Sequence, residues 1–306
     1  MNTARLREFY QRAGYRVTST RSADWYVPGG RIYRSFPCGT LVTPNENEIA
    51  ELASQRGIFG IEFHNGNGIG VPSGIWMMRD RGYGPHSVTR QYRQQMTRAL
   101  RREVVREIGF DELHRLGMRA NIETLTRQNH GDVHFSDPAQ WRQLCEAGAS
   151  TPGAGVFAIF GPHALIAYLV YFIVDGISHG LMTKSLDEAR QGGSNHALYF
   201  HYAYAMIRRP EIEAVEFGAQ WVPAMESVDR IKRHAGYRLE PYHVAVFLRP
   251  AARTLLLSGA ASLALKAARE IFGPSDGIDR AEALRHMAHA TADSTGHVAS
   301  RIVATD

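Results

Sequence analysis

Three apolar runs separated by tight turns constrain the fold of this chain more than any other feature of its sequence. The runs occupy residues 156–160, 164–174 and 178–185, and the turns between them contain Gly161-Pro162 and Asp175-Gly176. Because turns of this length join antiparallel neighbours, the pattern predicts a three-stranded antiparallel meander. The turn at Gly161 also divides the most apolar stretch into pieces of 5 and 11 residues. Both are shorter than the ~20 residues that a membrane-spanning helix needs.

The segments on either side of the meander alternate between helical and extended patterns. Thr43 as N-cap, Pro44 at the first helical position and Glu46 three residues after the cap predict a helix start. A Gly-rich stretch at 64–85 predicts a long loop with one buried piece at 75–78. The other predicted helices are 88–102, 111–126, one that begins at 137–138, 194–209, 227–235, 251–271 and 278–291, and the other strands are 58–63, 104–108, 214–217 and 242–248. We therefore expect an α/β protein.

The composition limits the class of protein and its compartment. Of the 306 residues, 44% are hydrophobic and 21% are charged, which is typical of a globular chain that buries a core. The two cysteines, Cys38 and Cys145, are too few for a disulfide framework and indicate a reducing compartment such as the bacterial-type cytosol. The first residues lack the apolar segment of a signal peptide, so we expect a cytoplasmic protein without a membrane span.

The order of elements from 156 to 248 resembles the GNAT acyltransferase fold, in which a β-meander leads into a Gly-containing turn and a helix. Three segments carry the resemblance: the turn and helix at 190–198, the isolated strand at 215–218, and the basic helix at 229–237 with its terminal Gly236-Tyr237. A further basic helix at 92–102 makes the chain most similar to the double-GNAT, Fem-type (FemAB-like) branch. The resemblance covers most of residues 88–250.

This resemblance implies a tandem architecture of mixed, mostly antiparallel sheets flanked by helices. The N-terminal GNAT-like half would span residues 1–135 and the C-terminal half residues 136–250. The two helical segments after residue 250 would form a helical appendage at 251–306. Those helices fit either a dimer interface or a cover for an open sheet edge, so the sequence leaves the oligomeric state open.

The resemblance also implies where an acyl donor binds. In the GNAT fold, backbone N–H groups of the turn and the positive end of the next helix hold the pyrophosphate of acyl-coenzyme A. The corresponding residues here are Arg190, Gln191, Gly192, Gly193, Ser194 and Asn195. Where the family has glycine or alanine, this chain has Asn195, and Fem-type relatives, which use aminoacyl-tRNA, commonly lack a clean version of the turn. A Gly-rich helix cap without a ligand is the structural alternative.

The same resemblance implies an active cleft between two strands. In the GNAT fold the strands before and after the turn separate, and the acyl group lies in the gap. Thr183, Lys184, Phe217 and Gly218 would line this cleft, and Glu216 would be the general base that takes the proton of an attacking amine. A solvent-facing or purely structural carboxylate is the alternative for Glu216.

Arginines and histidines supply the remaining candidates. The net charge is +5, and Arg98, Arg101 and Arg102 are candidates for contacts with the phosphates of coenzyme A or tRNA, although a solvated helix face explains the same charges. Stacking on single-stranded RNA would need exposed aromatic side chains, and Tyr92 is the one that this segment offers. His130 and His134 have no third ligand nearby, so no metal site is predicted.

We therefore expect an acyltransferase that moves an acyl group from a thioester or ester donor to an amine or hydroxyl of a small-molecule or peptide acceptor. Acyl-coenzyme A is the favoured co-substrate, and no tightly bound cofactor is expected. Two alternatives stay open. One is a Fem-like aminoacyltransferase that uses aminoacyl-tRNA, and the other is a non-catalytic GNAT-like binding protein.

Overall fold

The computed structural model describes residues 3–29, 31–129, 131–272 and 276–303, and His130 lies outside them. The chain divides into two compact units. Unit 1 contains residues 1–15, 75–218 and 225–240, and unit 2 contains residues 16–74, 219–224 and 241–306. Both units are discontinuous in sequence. The division into two consecutive halves, with a boundary at residue 135, and an appendage from residue 251 stays a prediction.

The α/β class predicted from the sequence is confirmed. The helices are α1 (Thr3–Arg12), α2 (Glu46–Ser54), α3 (Arg90–Leu100), α4 (Phe110–Leu116), α5 (Met118–Gln128), α6 (Val133–Ser136), α7 (Pro138–Ser150), α8 (Asp187–Gly192), α9 (Ser194–Met206), α10 (Glu226–His234), α11 (Pro250–Leu257), α12 (Gly259–Phe272) and α13 (Asp276–Val303). The strands are β1 (Val17–Ser19), β2 (Asp24–Tyr26), β3 (Ile32–Phe36), β4 (Gly60–Asn65), β5 (Val71–Met78), β6 (Val104–Ile108), β7 (Ala154–Phe160), β8 (Leu165–Val174), β9 (Ile177–Ser185), β10 (Ala214–Ala219) and β11 (Arg238–Leu248).

The predicted meander forms the centre of the sheet in unit 1. Strands β6, β7, β8 and β9 are successive antiparallel neighbours, and β10 lies parallel to β9. Helices cover both faces of β8: Tyr168 and Phe172 contact α7 and α1, and Tyr171 on the other face contacts Tyr202 of α9. A strand that is buried on both faces has no polar side to present, which explains the continuous apolar run in the sequence.

Unit 2 contains a sheet in the order β1, β2, β3, β4 and β11, with a core that includes Trp25, Tyr33 and Phe63. The C-terminal helix α13 packs on this sheet, and Thr291 accepts the backbone N–H of Val246 in β11 at 2.9 Å. Strand β11 is not an edge strand, so the choice between a dimer interface and a cover for an open sheet edge stays open. Within the described ranges, no helix is long and apolar enough to cross a membrane.

Three predicted boundaries are wrong, each for an identifiable reason. Helix α2 is capped by Asn45 rather than Thr43, because Asn45 and Glu48 exchange reciprocal side-chain bonds to each other's backbone N–H, each 3.0 Å long. The predicted helix 111–126 is two helices that meet at Gly117, where a Cβ would lie 2.8 Å from the Leu113 carbonyl oxygen. Much of the predicted 64–85 loop is strand β5.

The buried imidazole of His64 makes the stability of unit 2 depend on pH. Its Nδ1 accepts the N–H of Gly39 at 3.0 Å and its ring stacks on Tyr242. Burial lowers the pKa of His64 from 6.5 to about 4. The unfolded chain therefore binds more protons than the folded chain between these values, so stability decreases as the pH falls through this window. The loss is at most about 3 kcal/mol.

The substitution His64→Asn tests this expectation, because the asparagine oxygen preserves an acceptor for Gly39 and removes the titration. Urea unfolding of both proteins between about pH 7.5 and pH 3.5 gives the comparison, because this range brackets the two pKa values. We expect the wild type to lose more stability than the variant across this range. Equal losses would mean that His64 is not responsible.

Candidate active site

Strands β9 and β10 run together for a short distance and then separate. Their parallel register pairs Ala214 with Ile177 and ends with Glu216 opposite His179, whereas β9 continues to Ser185. Next to this last pair, the register between β8 and β9 shifts between Val170 and Tyr171, which marks a bulge. A bulge bends its strand away from the ladder. The pairing of β9 with β10 therefore ends at His179 and Glu216, where the GNAT resemblance implies that the strands separate.

The last register pair consists of two buried polar side chains that bond to each other. The side chains lie on the same face of neighbouring strands, His179 is 4% exposed and Glu216 is 1% exposed, and Nδ1 of the imidazole lies 3.1 Å from Oε2 of the carboxylate. The other carboxylate oxygen accepts the N–H of Gly218. Gly218 has a φ of +76°, a conformation that glycine adopts without strain. Glu216 therefore does not face solvent.

A buried cation lies close to the same strand end. Lys232 of α10 is 6% exposed, and its ammonium donates to the carbonyl oxygen of Gly218 at 3.5 Å. The ammonium is also 5.6 Å from the ring centroid of Phe217. Asp229, one turn earlier on α10, is buried as well. Burying a charge is costly unless compensating contacts are present. The Gly218 carbonyl oxygen and the Phe217 ring supply such contacts, so a positive group is held at the point where the strands separate.

Aromatic rings form a wall beside these groups. The ring centroid of Phe217 lies 4.4 Å from that of Tyr199 and 5.2 Å from that of Tyr237, and Tyr199 is hydrogen-bonded to Thr183. Burial raises the pKa of both tyrosines. Of the predicted cleft residues, the structure brings Thr183, Phe217 and Gly218 together with Glu216. Lys184 is not part of this group of side chains, because its ammonium contacts Phe135 and lies 4.1 Å from the centroid of that ring.

The turn predicted to bind the donor is a short helix followed by a tightly packed glycine. Residues 190–192 end α8, and Gly193 takes a φ of +86° immediately before α9. A Cβ at Gly193 would lie 2.6 Å from the carbonyl oxygen of Gln95, so helix α3 rests directly on this turn. The side chain of Gln191 lies outside what the structure describes.

A carboxylate lies at the first turn of α9. Ser194 is buried, and its hydroxyl donates to Glu103 at 2.9 Å. Burial raises the pKa of Glu103; the hydrogen bond from Ser194 opposes this shift and the charge of Glu188 adds to it. The side-chain oxygen of Asn195 is also buried, with no hydrogen-bond partner among the described residues. The positive end of this helix thus faces protein groups, including an acidic one.

Two basic surfaces flank helix α3. The first, which we call the α3 groove, has a volume of about 610 Å³ and is lined by Arg90, Arg93, Gln94, Thr97, Arg98 and Arg101. The second, which we call the α10 cavity, has a volume of about 350 Å³ and is lined by Gln91, Tyr92, Gln95, Arg190, His196, Arg230, Ile231 and His234. Both surfaces lie within unit 1.

The arginines of the α3 groove differ from three other arginines of unit 1 in having no carboxylate partner among the described residues. Arg106, Arg127 and Arg209 form ion pairs with Glu112, Asp187 and Glu107. In the part of the chain that the structure describes, none of the four groove arginines has a carboxylate partner. The groove unites the predicted candidates Arg98 and Arg101, whereas Arg102 is exposed outside it.

Tyr92, the aromatic side chain that this segment offers for stacking on RNA, is buried. Tyr92 is 1% exposed, and its hydroxyl donates to the carbonyl oxygen of His196 at 2.9 Å. The amphipathic pattern of α3 directs this ring into the protein and the arginines outward. The ring is therefore a packing contact between α3 and α9.

Sequence reasoning missed His179 and Lys232. The spacing of histidines gives no signal for His179, because its partner is a glutamate on the neighbouring parallel strand. Lys232 belongs to a helix whose other basic residues are exposed, and the sequence does not distinguish them. Among the described residues, no group of three or more His, Cys, Asp or Glu side chains is arranged to hold a metal ion.

Comparison with known proteins gives matches in structure. No family model matches the chain, and no curated protein matches its sequence. The C-terminal domain of a protein assigned as a lysylphosphatidylglycerol synthetase from Agrobacterium fabrum has a TM-score of 0.53 and 13% identity, over 85% of this chain and 94% of that one. FemX has a TM-score of 0.53 and 12% identity, over 82% and 92% of the two chains. L-PGS from Bacillus licheniformis has a TM-score of 0.51 and 11% identity, over 87% and 92%.

These similarities establish the fold. The chain has a GNAT-type fold with Fem-like structural relatives, as the sequence resemblance predicted. At identities of 11–13% the similarity carries no information about substrates.

The turn at residues 190–195, which we call the α9 turn, packs against α3. This packing makes a specific prediction about Gly193. The substitution Gly193→Ala adds a Cβ at a positive φ and against the Gln95 carbonyl oxygen, so we expect it to destabilise the protein by about 1–3 kcal/mol. Gly192→Ala is the matched control, because its Cβ would meet only side-chain atoms, the nearest 3.4 Å away. Urea unfolding should separate the two variants, and equal midpoints would contradict the close contact.

Proposed function

We propose that this chain is an aminoacyltransferase that takes its acyl group from aminoacyl-tRNA and passes it to an amine or hydroxyl of a small-molecule or peptide acceptor. Acyl-coenzyme A and aminoacyl-tRNA are the two donors that the sequence leaves open. We choose aminoacyl-tRNA over acyl-coenzyme A because of the contacts that the protein makes with the α9 turn. There, Gly193 packs on the Gln95 carbonyl oxygen and Ser194 bonds the carboxylate of Glu103.

This turn is unfavourable for coenzyme A. A pyrophosphate held in the GNAT manner needs free access to the backbone N–H groups of the turn. Here the backbone of α3 occupies the approach to Gly193, and the carboxylate of Glu103 at Ser194 would repel a phosphate. Coenzyme A would bind in that position only after both groups had moved.

The α3 groove is suited to an RNA backbone. Its four arginines lie on one surface and have no carboxylate partners among the described residues, so binding phosphates would break no ion pair. Guanidinium groups bind phosphate oxygens in bidentate geometry. Such contacts release counterions, and four of them give a salt-dependence slope of about −3 to −4.

The reaction proposed is the aminolysis or alcoholysis of the aminoacyl ester. The acceptor nitrogen or oxygen attacks the ester carbonyl, a new amide or ester bond forms, and the ribose hydroxyl of the tRNA leaves. The attacking group must lose a proton. If the Nδ1 proton of His179 is donated to Glu216, Nε2 of the neutral imidazole is left as an acceptor, so His179 and Glu216 together are suited to take that proton.

Lys232 is suited to stabilise the negative charge that develops on the carbonyl oxygen during this attack. Its ammonium is buried at the end of β10 beside the Gly218 carbonyl oxygen. A fixed cation in a site shielded from water interacts with an oxyanion more strongly than a solvated one does. The proposal therefore gives roles to both residues that the sequence analysis overlooked.

Transfer is tested directly with bulk tRNA charged with labelled amino acids. The acceptor panel consists of free amino acids, dipeptides and phosphatidylglycerol vesicles, and a parallel arm supplies acyl-coenzyme A thioesters and follows release of the thiol. We expect protein-dependent transfer of label from tRNA to one acceptor class. Thiol release without tRNA deacylation would contradict the choice of donor, and RNA binding without any transfer would indicate a non-catalytic binding protein.

Glu216→Gln tests the proton-transfer step in that assay. We expect the single-turnover rate to fall by about 10²–10⁴-fold, because a neutral amide does not stabilise the positive imidazole that forms when Nε2 of His179 takes the proton. Binding of tRNA should be unchanged. Glu213→Gln, which alters an exposed carboxylate just before β10, is the matched control. A Glu216→Gln rate within twofold of wild type would contradict the role.

Charge reversal in the α3 groove tests the RNA contact. The double substitution Arg98→Glu with Arg101→Glu should abolish tight tRNA binding at moderate salt. The milder pair Arg98→Gln with Arg101→Gln should reduce the salt-dependence slope by about 2. Arg119→Glu with Arg142→Glu changes the net charge equally on exposed positions outside the groove. Equal losses in the two charge-reversed proteins would mean that the attraction is nonspecific.

A further inference from the structure

One hydroxyl in the aromatic wall of the candidate site is buried without a hydrogen-bond partner. Tyr237 is 3% exposed, and its ring centroid lies 5.2 Å from that of Phe217, whose ring is 5.6 Å from the Lys232 ammonium. Among the described residues, no group forms a hydrogen bond with the Tyr237 hydroxyl. Buried polar atoms of this kind are rare in folded proteins, so the hydroxyl calls for a partner from outside the chain.

The tyrosines that surround Tyr237 do not share this property. Three of them are more deeply buried, and each of their hydroxyls bonds a protein group: Tyr83 the Ala235 carbonyl oxygen at 2.9 Å, Tyr92 the His196 carbonyl oxygen at 2.9 Å, and Tyr202 the Ser178 hydroxyl at 2.8 Å. Burial raises the pKa of Tyr237, and these three neighbours raise it further. The Tyr237 hydroxyl therefore keeps its proton and is available as a donor.

A second buried donor without a partner lies near the same segment of unit 1. Trp76 of β5 is 2% exposed, and its indole N–H has no partner among the described residues. Because side chains alternate along a strand, Trp76 lies on the same face of β5 as Met78. A Cβ at Gly236, the residue before Tyr237, would lie 3.4 Å from the Met78 methyl group. Two unpaired donors therefore lie on the face of the sheet that carries residues 236 and 237.

We infer that the Tyr237 hydroxyl and the Trp76 indole N–H bind an oxygen atom in the side chain of the transferred amino acid. The inference rests on the proposed function and names the class of its donor, which is an aminoacyl group with a hydroxyl, carboxamide or carboxylate. An indole N–H only donates, so the group that it binds must be an acceptor. Lysine and arginine side chains contain no acceptor, and aliphatic side chains contain no polar atom.

A site of this kind selects against the wrong amino acid through its own unpaired groups. A side chain without an oxygen fills the space and leaves the two buried donors without partners, which costs the complex the hydrogen bonds that the right side chain supplies. A pocket without such donors distinguishes amino acids mainly by size, and it does so weakly. The Tyr237 hydroxyl thus acts on specificity and contributes no hydrogen bond to the folding of the free protein.

The experiment measures the binding of short RNAs that end in CCA and carry an amino acid as a 3′-amide. Two pairs isolate the side-chain oxygen: seryl against alanyl, and asparaginyl against leucyl, which has nearly the same shape. We expect the wild type to bind the oxygen-bearing member of at least one pair about tenfold more tightly. The substitution Tyr237→Phe should reduce that preference by about threefold or more, with Trp76 still in place.

Tyr83→Phe is the matched control, because it deletes the same hydroxyl from a neighbouring ring whose hydroxyl has a protein partner. In urea unfolding we expect Tyr83→Phe to lower the midpoint and to keep the preference for oxygen. Tyr237→Phe should keep or raise the midpoint, since it removes a buried hydroxyl that forms no hydrogen bond. A lower midpoint for Tyr237→Phe with an unchanged preference would make the hydroxyl purely structural and would overturn the inference.

Failure of this inference is distinguishable from failure of the proposed function. If the wild type binds all four aminoacyl-RNAs and prefers the oxygen-bearing member of neither pair, the RNA donor stands and the side-chain assignment is overturned. If the wild type binds none of the four, the donor itself is contradicted and the inference fails with it.

Discussion

The chemistry that we propose for this chain depends on the point at which two parallel strands stop pairing. His179 and Glu216 are the last register partners of β9 and β10, and the bulge in β9 follows at once. The strand separation therefore leaves a bonded imidazole and carboxylate at the closed end of a gap. Gly218 turns its N–H back to the carboxylate and leaves its carbonyl oxygen for Lys232. The end of strand pairing thus brings together a bonded imidazole and carboxylate, a lysine ammonium and a wall of aromatic rings.

In the proposed function, the packing of α3 favours one donor over the other. Fold similarity alone is compatible with many acyl donors, because a fold does not determine function. In this chain, α3 rests on Gly193 and a glutamate holds Ser194, so the usual phosphate-binding turn is already occupied by protein. The same helix presents arginines that have no carboxylate partner in the part of the chain that the structure describes. The closed turn and the open basic groove both favour a polyanion bound along α3 over a pyrophosphate bound at α9.

Local patterns predicted the fold well, and contacts between distant residues limited the prediction of the site. The meander follows from apolar runs and turn residues. The resemblance of the strand at 215–218 to the GNAT fold implies Glu216 as the candidate general base. The partner of Glu216 could not be identified, because the pairing of β9 with β10 places residues 179 and 216 together only through their register. The closure of the turn at Gly193 likewise depends on the Gln95 carbonyl oxygen, almost a hundred positions earlier in the sequence. The burial of Tyr92 depends on which face of α3 packs on α9.

The central claim is that the donor binds through RNA phosphates and not through the α9 turn. The most direct measurement is the dissociation constant of a non-hydrolysable aminoacyl-RNA, with a 3′-amide in place of the ester, compared with that of acetyl-coenzyme A in the same buffer. We expect the RNA to bind more tightly, with an affinity that falls steeply with salt, and acetyl-coenzyme A not to displace it. Tight binding of acetyl-coenzyme A that displaces the RNA would contradict the proposed donor.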